Sequence, residues 1–218
     1  QAQCRKPVQV KENLKNMMNE LLDLNFIMPL SNASEETQEI VKKAPVQHYY
    51  PWRVVEKDSV STPLRMIVDP SSSLLNLIVA KGESMLASMY SILLRSLCTE
   101  HCFSTDIRKL YNNLHLDPEA YPYSLFLYEP SMEVNKEPET YLMVRAWYGV
   151  ASTCSQAGTS LQMIAKDHQE SLPFGASVLL EDLYVDDAVS GATTHEEMLA
   201  KVRELKEILR KAGMALKY

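Results

Sequence analysis

The sequence holds no apolar run approaching the twenty or so residues needed to span a bilayer, and its first residues carry no signal-peptide pattern. The expectation is a soluble, cytoplasmic protein with no membrane partner. Cysteine is scarce: Cys4, Cys98, Cys102 and Cys154 are spread unevenly through 218 residues. That excludes a disulfide-built scaffold and fits a reducing compartment with ordinary buried thiols. Cys98, His101 and Cys102 form a CxxHC cluster, but no second Cys/His pair stands where it would complete a tetrahedral zinc site. Basic residues are outnumbered, 22 against 28, for a formal charge of -6 and a pI near 5.4. Such a balance argues against a stand-alone nucleic-acid binder held mainly by counterion release, although a local basic groove is compatible with it. There is no internal repeat and no low-complexity segment.

With 46% hydrophobic residues the chain can build one sizeable domain or two small lobes sharing a core. Leu14, Met17, Met18, Leu21 and Leu22 recur at helical spacing between Lys11 and Asn25, so the chain opens on an amphipathic helix. Residues 31 to 46 are polar and read as a surface connection. "RVVEKD" and "LRMIVD" read as two strands of a hairpin joined through "KDSVSTP". Ser84 to Cys98 returns to helical period, and "HCFSTD" alternates as a strand ending on Asp106. "YSLFLYE" and "YLMVRAWYG" are expected to pair antiparallel, followed by a helix over about 151–169 and a strand at "SVLLEDLY". The chain then turns at Asp186–Asp187 into "AVSGA". Thr194 and Glu197 make a capping box for a last helix, with Met198, Val202, Leu205 and Leu209 as its inward stripe. Helix and strand alternate in an order that suits an α+β fold, a sheet covered by helices on one face.

Asp106 at a strand end and Asp186–Asp187 at a hairpin tip are each, taken alone, most often solvated surface features. Together they place carboxylates at the ends of adjacent strands. Paired divalent cations about 3.5–4 Å apart, which can activate a hydroxyl and stabilise a leaving oxygen, need such rigidly held carboxylate oxygens. Oxygen-only ligands favour magnesium over zinc.

"YVDD" (184–187), flanked by apolar strand residues, resembles the signature hairpin of reverse transcriptases, and it stands in order with further motifs. "FSTDIRKLY" resembles the first catalytic motif of that family. The resemblance implies that Asp106 and the Ile107 carbonyl bind metal with Asp186 and Asp187, and that Tyr111 is the ring under the incoming sugar that excludes a ribose 2′-hydroxyl. "LRMIVDPSS" resembles the fingers motif whose arginine grips the triphosphate, which maps that role to Arg65. Lys57 on the facing arm is the second candidate phosphate contact, and Asp69 is expected to position the arginine or its strand. "WYGVAS" falls where the family holds nucleotide and template, which makes Tyr148 and Gly149 pocket candidates. "AGMALKY" resembles the closing palm motif, whose lysine protonates departing pyrophosphate, here Lys217.

"YYPWRVVEKDSVSTPLRMIVDPSS", "LNLIVAKGESM", "TDIRKLYNNLHLDPE" and "LYVDDAVSGATTHEE" are most similar to the BEL/Pao group of LTR retrotransposons, from roughly residue 46 onward. The implied fold is the fingers and palm of a right-hand polymerase. Fingers would comprise 1–83 and 113–148, and palm 84–112 and 149–218 as an antiparallel ferredoxin-like sheet with helices on one face. Thumb, connection and RNase H regions would be absent. The implied activity is RNA-directed DNA polymerisation with two Mg2+ ions, or Mn2+. Its partners would be an RNA or DNA template with primer, deoxynucleoside triphosphates and the remainder of a parent polyprotein, in the cytoplasm or in virus-like particles. Two departures stand out: Thr153–Cys154 replaces an Ala-Pro or Ser-Pro step, and Lys217–Tyr218 replaces Lys-Trp. An inactive fragment that keeps the fold to bind nucleic acid or protein is the alternative. A cyclase-like palm would share the carboxylate hairpin but not the Arg65 hairpin or the Tyr111 spacing.

Overall fold

A computed structural model describes residues 5–56 and 64–217, which divide into two compact units. The first comprises the described residues of Gln1–Ala80 with Leu114–Ala151; the second comprises Lys81–Asn113 with those of Ser152–Tyr218.

In the first unit, helix α1 (Val8–Asp23) buries Leu14 and Met18 and ends at a left-handed Asn25. Strand β1 (Ile27–Pro29) follows. Helix α2 (Glu35–Lys43) occupies the stretch expected to be a plain connection, which corrects that reading. The Ser34 side chain accepts the Thr37 amide, Glu35 and Glu36 sit in the first turn and Lys42 and Lys43 in the last, all favourable to the helix dipole. Only Val41 is buried, so apolar periodicity could not reveal this helix. Strands β2 (Trp52–Glu56) and β3 (Leu64–Val68) pair antiparallel as expected, from Trp52 opposite Val68 to Glu56 opposite Leu64. A short helix α3 (Leu75–Ile78) comes next.

The second unit begins before the first is complete. Its helix α4 (Met89–Leu97) is shorter than the sequence period suggests, because Ser88 caps it and residues 81–88 are not helical. Strand β4 (His101–Ile107) carries Asp106. The chain then returns to the first unit for β5 (Leu125–Tyr128) and β6 (Glu139–Met143), which pair antiparallel, β1 lying on the other side of β6. Leu14, Met18, Phe126, Tyr141, Met143 and Trp147 centre that unit's core.

The remaining chain completes the second unit: α5 (Thr153–His168), α6 (Pro173–Glu181), β7 (Leu183–Tyr184), β8 (Asp187–Ala192), α7 (His195–Lys211) and β9 (Leu216–Lys217). Most of the "SVLLEDLY" segment is helical, not a strand as expected. A short apolar run bears no periodicity that separates a buried helix from a buried strand, and Pro173 at the first helical turn favours the helix. Gly175 lets α6 lie against α7, since a Cβ there would meet the backbone at Glu204 and Leu205. Thr194 caps α7 as anticipated, and Gly213 follows it with φ 73°. The sheet runs β7-β8-β4-β9, antiparallel throughout, with α4, α6 and α7 packed on β8. Cys98, Cys102 and Cys154 are free and exposed rather than buried; Cys4 lies outside the described residues. Among the described residues, no helix is long and apolar enough to cross a membrane.

Candidate metal centre and nucleotide-contact residues

Register builds the site in the second unit. Tyr184 pairs with Asp187, Asp187 with Asp106, and Asp106 with Lys217, so one row crosses all four strands. Cross-strand partners point to the same face of a sheet, so the four side chains of this row share one face. On β4 the alternate residues Cys102 and Ser104 on that side are exposed, while His101 and Phe103 on the other side are half-buried. The carboxylates thus emerge on the more open face.

Because Tyr184 and Asp187 pair directly, Val185 and Asp186 alone form the hairpin turn. Val185 takes φ 62°, a conformation costly for a β-branched residue and of the kind held where a site demands it. The turn is tied down when the Ile107 amide donates to the Asp186 carbonyl at 2.8 Å. Asp106, Asp186 and Asp187 each offer a carboxylate oxygen, and these oxygens lie within 4.8 Å of one another. Lys217 Nζ stands 3.6 Å from Asp106 Oδ2. The other oxygen, Oδ1, is buried and has no hydrogen-bond partner among the described residues. A buried carboxylate oxygen without a protein donor calls for a partner from outside the chain, a water or a cation. Three carboxylates and an orphaned oxygen fit a hard divalent cation held by Asp106, Asp186 and Asp187.

Tyr111 is 8% exposed, and its hydroxyl lies 3.1 Å from Cys154 Sγ at the start of α5. Both line a cavity with Val185, Leu183 and Met85. Behind the hairpin, Asp182 is braced: Arg95 Nε donates to Oδ1 at 2.9 Å and Ser190 Oγ to Oδ2 at 2.6 Å, while Arg95 also bonds the Glu181 carbonyl. This brace joins α4 to β8 and was not anticipated; in the sequence, Asp182 reads only as a polar residue of a strand.

Arg65, Tyr148 and Gly149 belong to the first unit. The Arg65 guanidinium stands 5.8 Å from the centre of the Tyr148 ring, close enough for a cation–π contact. Gly149 has φ 92°, a backbone conformation that side chains other than glycine's rarely adopt, and lies beside Pro70 and the Val68 carbonyl. Asn76 fixes this loop by donating to the Gly149 carbonyl at 2.8 Å and accepting from the Ala151 amide at 2.9 Å. Asp69, expected to position the arginine or its strand, accepts the Ser72 amide at 3.0 Å and so holds the turn that follows β3. Lys57 lies outside the described residues.

No family model and no curated protein sequence matches the chain. Solved structures do. The protease–reverse transcriptase of prototype foamy virus aligns over 94% of this chain and 23% of its own, with TM-score 0.67 and 15% identity. A foamy viral protease–reverse transcriptase in complex with double-stranded DNA aligns over 95% of this chain and 30% of its own, with TM-score 0.68 and 14% identity. The chain therefore has a mixed α/β fold like that of a retroviral reverse transcriptase, and spans less than a third of the length of these neighbours.

Proposed function

We propose that this chain is the fingers and palm of an RNA-directed DNA polymerase of the BEL/Pao retrotransposon type, which adds deoxynucleotides to a primer 3′-hydroxyl by in-line attack on the α-phosphate. The observation that carries this reading is the row of Asp187, Asp106 and Lys217 across the sheet, with Asp186 at the adjoining turn and Asp106 Oδ1 left without a donor. The reverse transcriptase-like fold supports it, as do the sequence motifs that fall in family order.

On this reading the second unit is the palm and the first the fingers. Asp106, Asp186, Asp187 and the Ile107 carbonyl would hold two magnesium ions, which lower the cost of charge on the attacking and departing oxygens. Lys217, kept beside Asp106, gives its proton to the departing pyrophosphate. Arg65 binds the triphosphate through its fork of donors, with Lys57 as second contact, and Tyr148 and Gly149 form the floor on which the nucleotide rests. Tyr111 stands under the sugar and turns away ribose.

Single-nucleotide primer extension on an RNA template with magnesium, at low salt because the chain is net acidic, tests the reading against Asp186→Asn. Incorporation by the wild type alone is expected. Equal incorporation by both proteins would overturn the metal assignment. No incorporation by either, together with no magnesium-dependent deoxynucleotide binding, would move the protein to the class of inactive fragments.

A further inference from the structure

Cys154 stands where the resembled family has proline, and proline offers no side-chain hydrogen-bonding group. In this chain the position carries a thiol, 3.1 Å from the Tyr111 hydroxyl. Resting on the polymerase reading above, we infer that Cys154 is a positioning residue that sets how strictly Tyr111 discriminates between deoxyribose and ribose.

The local geometry supports a coupling between these two side chains. Tyr111 follows β4 in a short 3-10 turn (Tyr111–Asn113), with its ring buried against the cavity it shares with Cys154. Cys154 belongs to α5, a sixteen-residue helix anchored through Ala157, Leu161 and Ala165. The thiol–phenol contact therefore ties the turn after β4 to the first turn of α5. Val185, the strained residue of the carboxylate turn, lines the same cavity as Tyr111 and Cys154. Displacement of the ring would change the space available to a 2′-hydroxyl without touching the carboxylates. Cys154 does not contact the reacting atoms; it acts through Tyr111.

A residue that merely supports folding would slow ribonucleotide and deoxynucleotide addition alike, whereas a positioning residue changes their ratio. The experiment compares incorporation of dCTP and CTP by wild type, Cys154→Ala, Cys154→Ser, Tyr111→Phe and the Tyr111→Phe/Cys154→Ala double variant. Cys154→Ala is expected to lower discrimination about 2- to 10-fold, the range expected for one net hydrogen bond. Serine, which keeps a hydroxyl partner, should restore most of it, and Cys154→Ala should add nothing once Tyr111 is phenylalanine. Unchanged discrimination in Cys154→Ala, or an equal loss in both backgrounds, would overturn the inference.

A second measurement does not depend on polymerase activity and so separates failure of this inference from failure of the functional reading. The rate at which Ellman's reagent modifies Cys154 is taken as the difference between wild type and Cys154→Ala, then repeated with Tyr111→Phe in both. Loss of the phenol should shift that rate about 2- to 10-fold. An unchanged rate would show that thiol and phenol do not interact, whether or not the chain extends primers.

Discussion

Replacing Asp187 by asparagine should stabilise the protein in the absence of divalent cations and destabilise it relative to wild type in their presence. Asp106, Asp186 and Asp187 bring carboxylate oxygens within 4.8 Å of one another, and Lys217 stands 3.6 Å from Asp106. Two like charges at that separation repel by about 0.9 kcal/mol in water and about 3.5 kcal/mol at an effective dielectric of 20. Asp187 is exposed, so screening brings each pair down to roughly 0.5 kcal/mol, in the range measured for surface charges. The substitution removes two repulsive pairs, a gain of about 1 kcal/mol, or roughly 2–4 °C for a chain of 218 residues. A cation at ten times its dissociation constant instead stabilises the wild type by about 1.4 kcal/mol. Scanning calorimetry with chelator and then with rising magnesium should therefore show two crossing curves, the variant melting higher at first and the wild type overtaking it. A variant that melts lower in chelator, or that responds to magnesium as the wild type does, would refute the carboxylate cluster as a cation site.

Three further outcomes test what holds the site in place. Asp182→Ala leaves the buried Ser190 hydroxyl and the Arg95 Nε without their acceptor, and should cost about 2–3 kcal/mol in urea unfolding and lower any polymerase activity through the hairpin it braces. Gly175→Ala forces a methyl against the α7 backbone and should lower the melting temperature by several degrees, about 1–3 kcal/mol, where an alanine in open helix would raise it. Glu129 is buried, and burial pushes its carboxyl pKa up, but hydrogen bonds from the Ser131 hydroxyl and the Glu133 and Ser131 amides outweigh that and leave it below the ordinary value. A lowered folded-state pKa means stability that is present above the unfolded value and lost as pH falls through the folded one. The urea midpoint of the wild type should thus exceed that of Glu129→Gln at neutral pH, and the gap should close in acid; a constant gap would refute the assignment.

How much of the fold could be read in advance depended on where apolar residues had to lie. The β2–β3 hairpin was legible because alternation and turn chemistry agree, and α1 and α7 because their buried residues recur at helical spacing. Helix α2 escaped because a single buried residue, Val41, makes no period, although its caps and end charges were present in the sequence. Helix α6 escaped for the opposite reason. Gly175, Ala176, Val178 and Leu179 are all buried, and a helix enclosed on every side loses the polar stripe that would mark it. The first half of the expected α4 failed differently: Met85, apolar and in register, packs from an unwound segment against Gly158 instead of belonging to the helix.

The candidate site was legible to the extent that it consists of residue types at fixed local spacing. Asp106, Asp186 and Asp187 are distant in sequence, yet each lies within a short motif, and strand register alone then sets Asp187 beside Asp106. Lys217 was legible through the closing motif alone, and register then sets it opposite Asp106 on the other side of β4. The residues that support them left no such mark. Asp182, at the end of α6, meets Arg95 only because α4 packs beside it, and Cys154 meets Tyr111 only because α5 packs on the turn after β4. Such contacts are made by tertiary packing between segments far apart in the chain, so no local pattern announces them. It follows that substitutions which preserve every motif, such as Asp182→Ala or Cys154→Ala, are the ones able to separate the support of the candidate site from its chemistry.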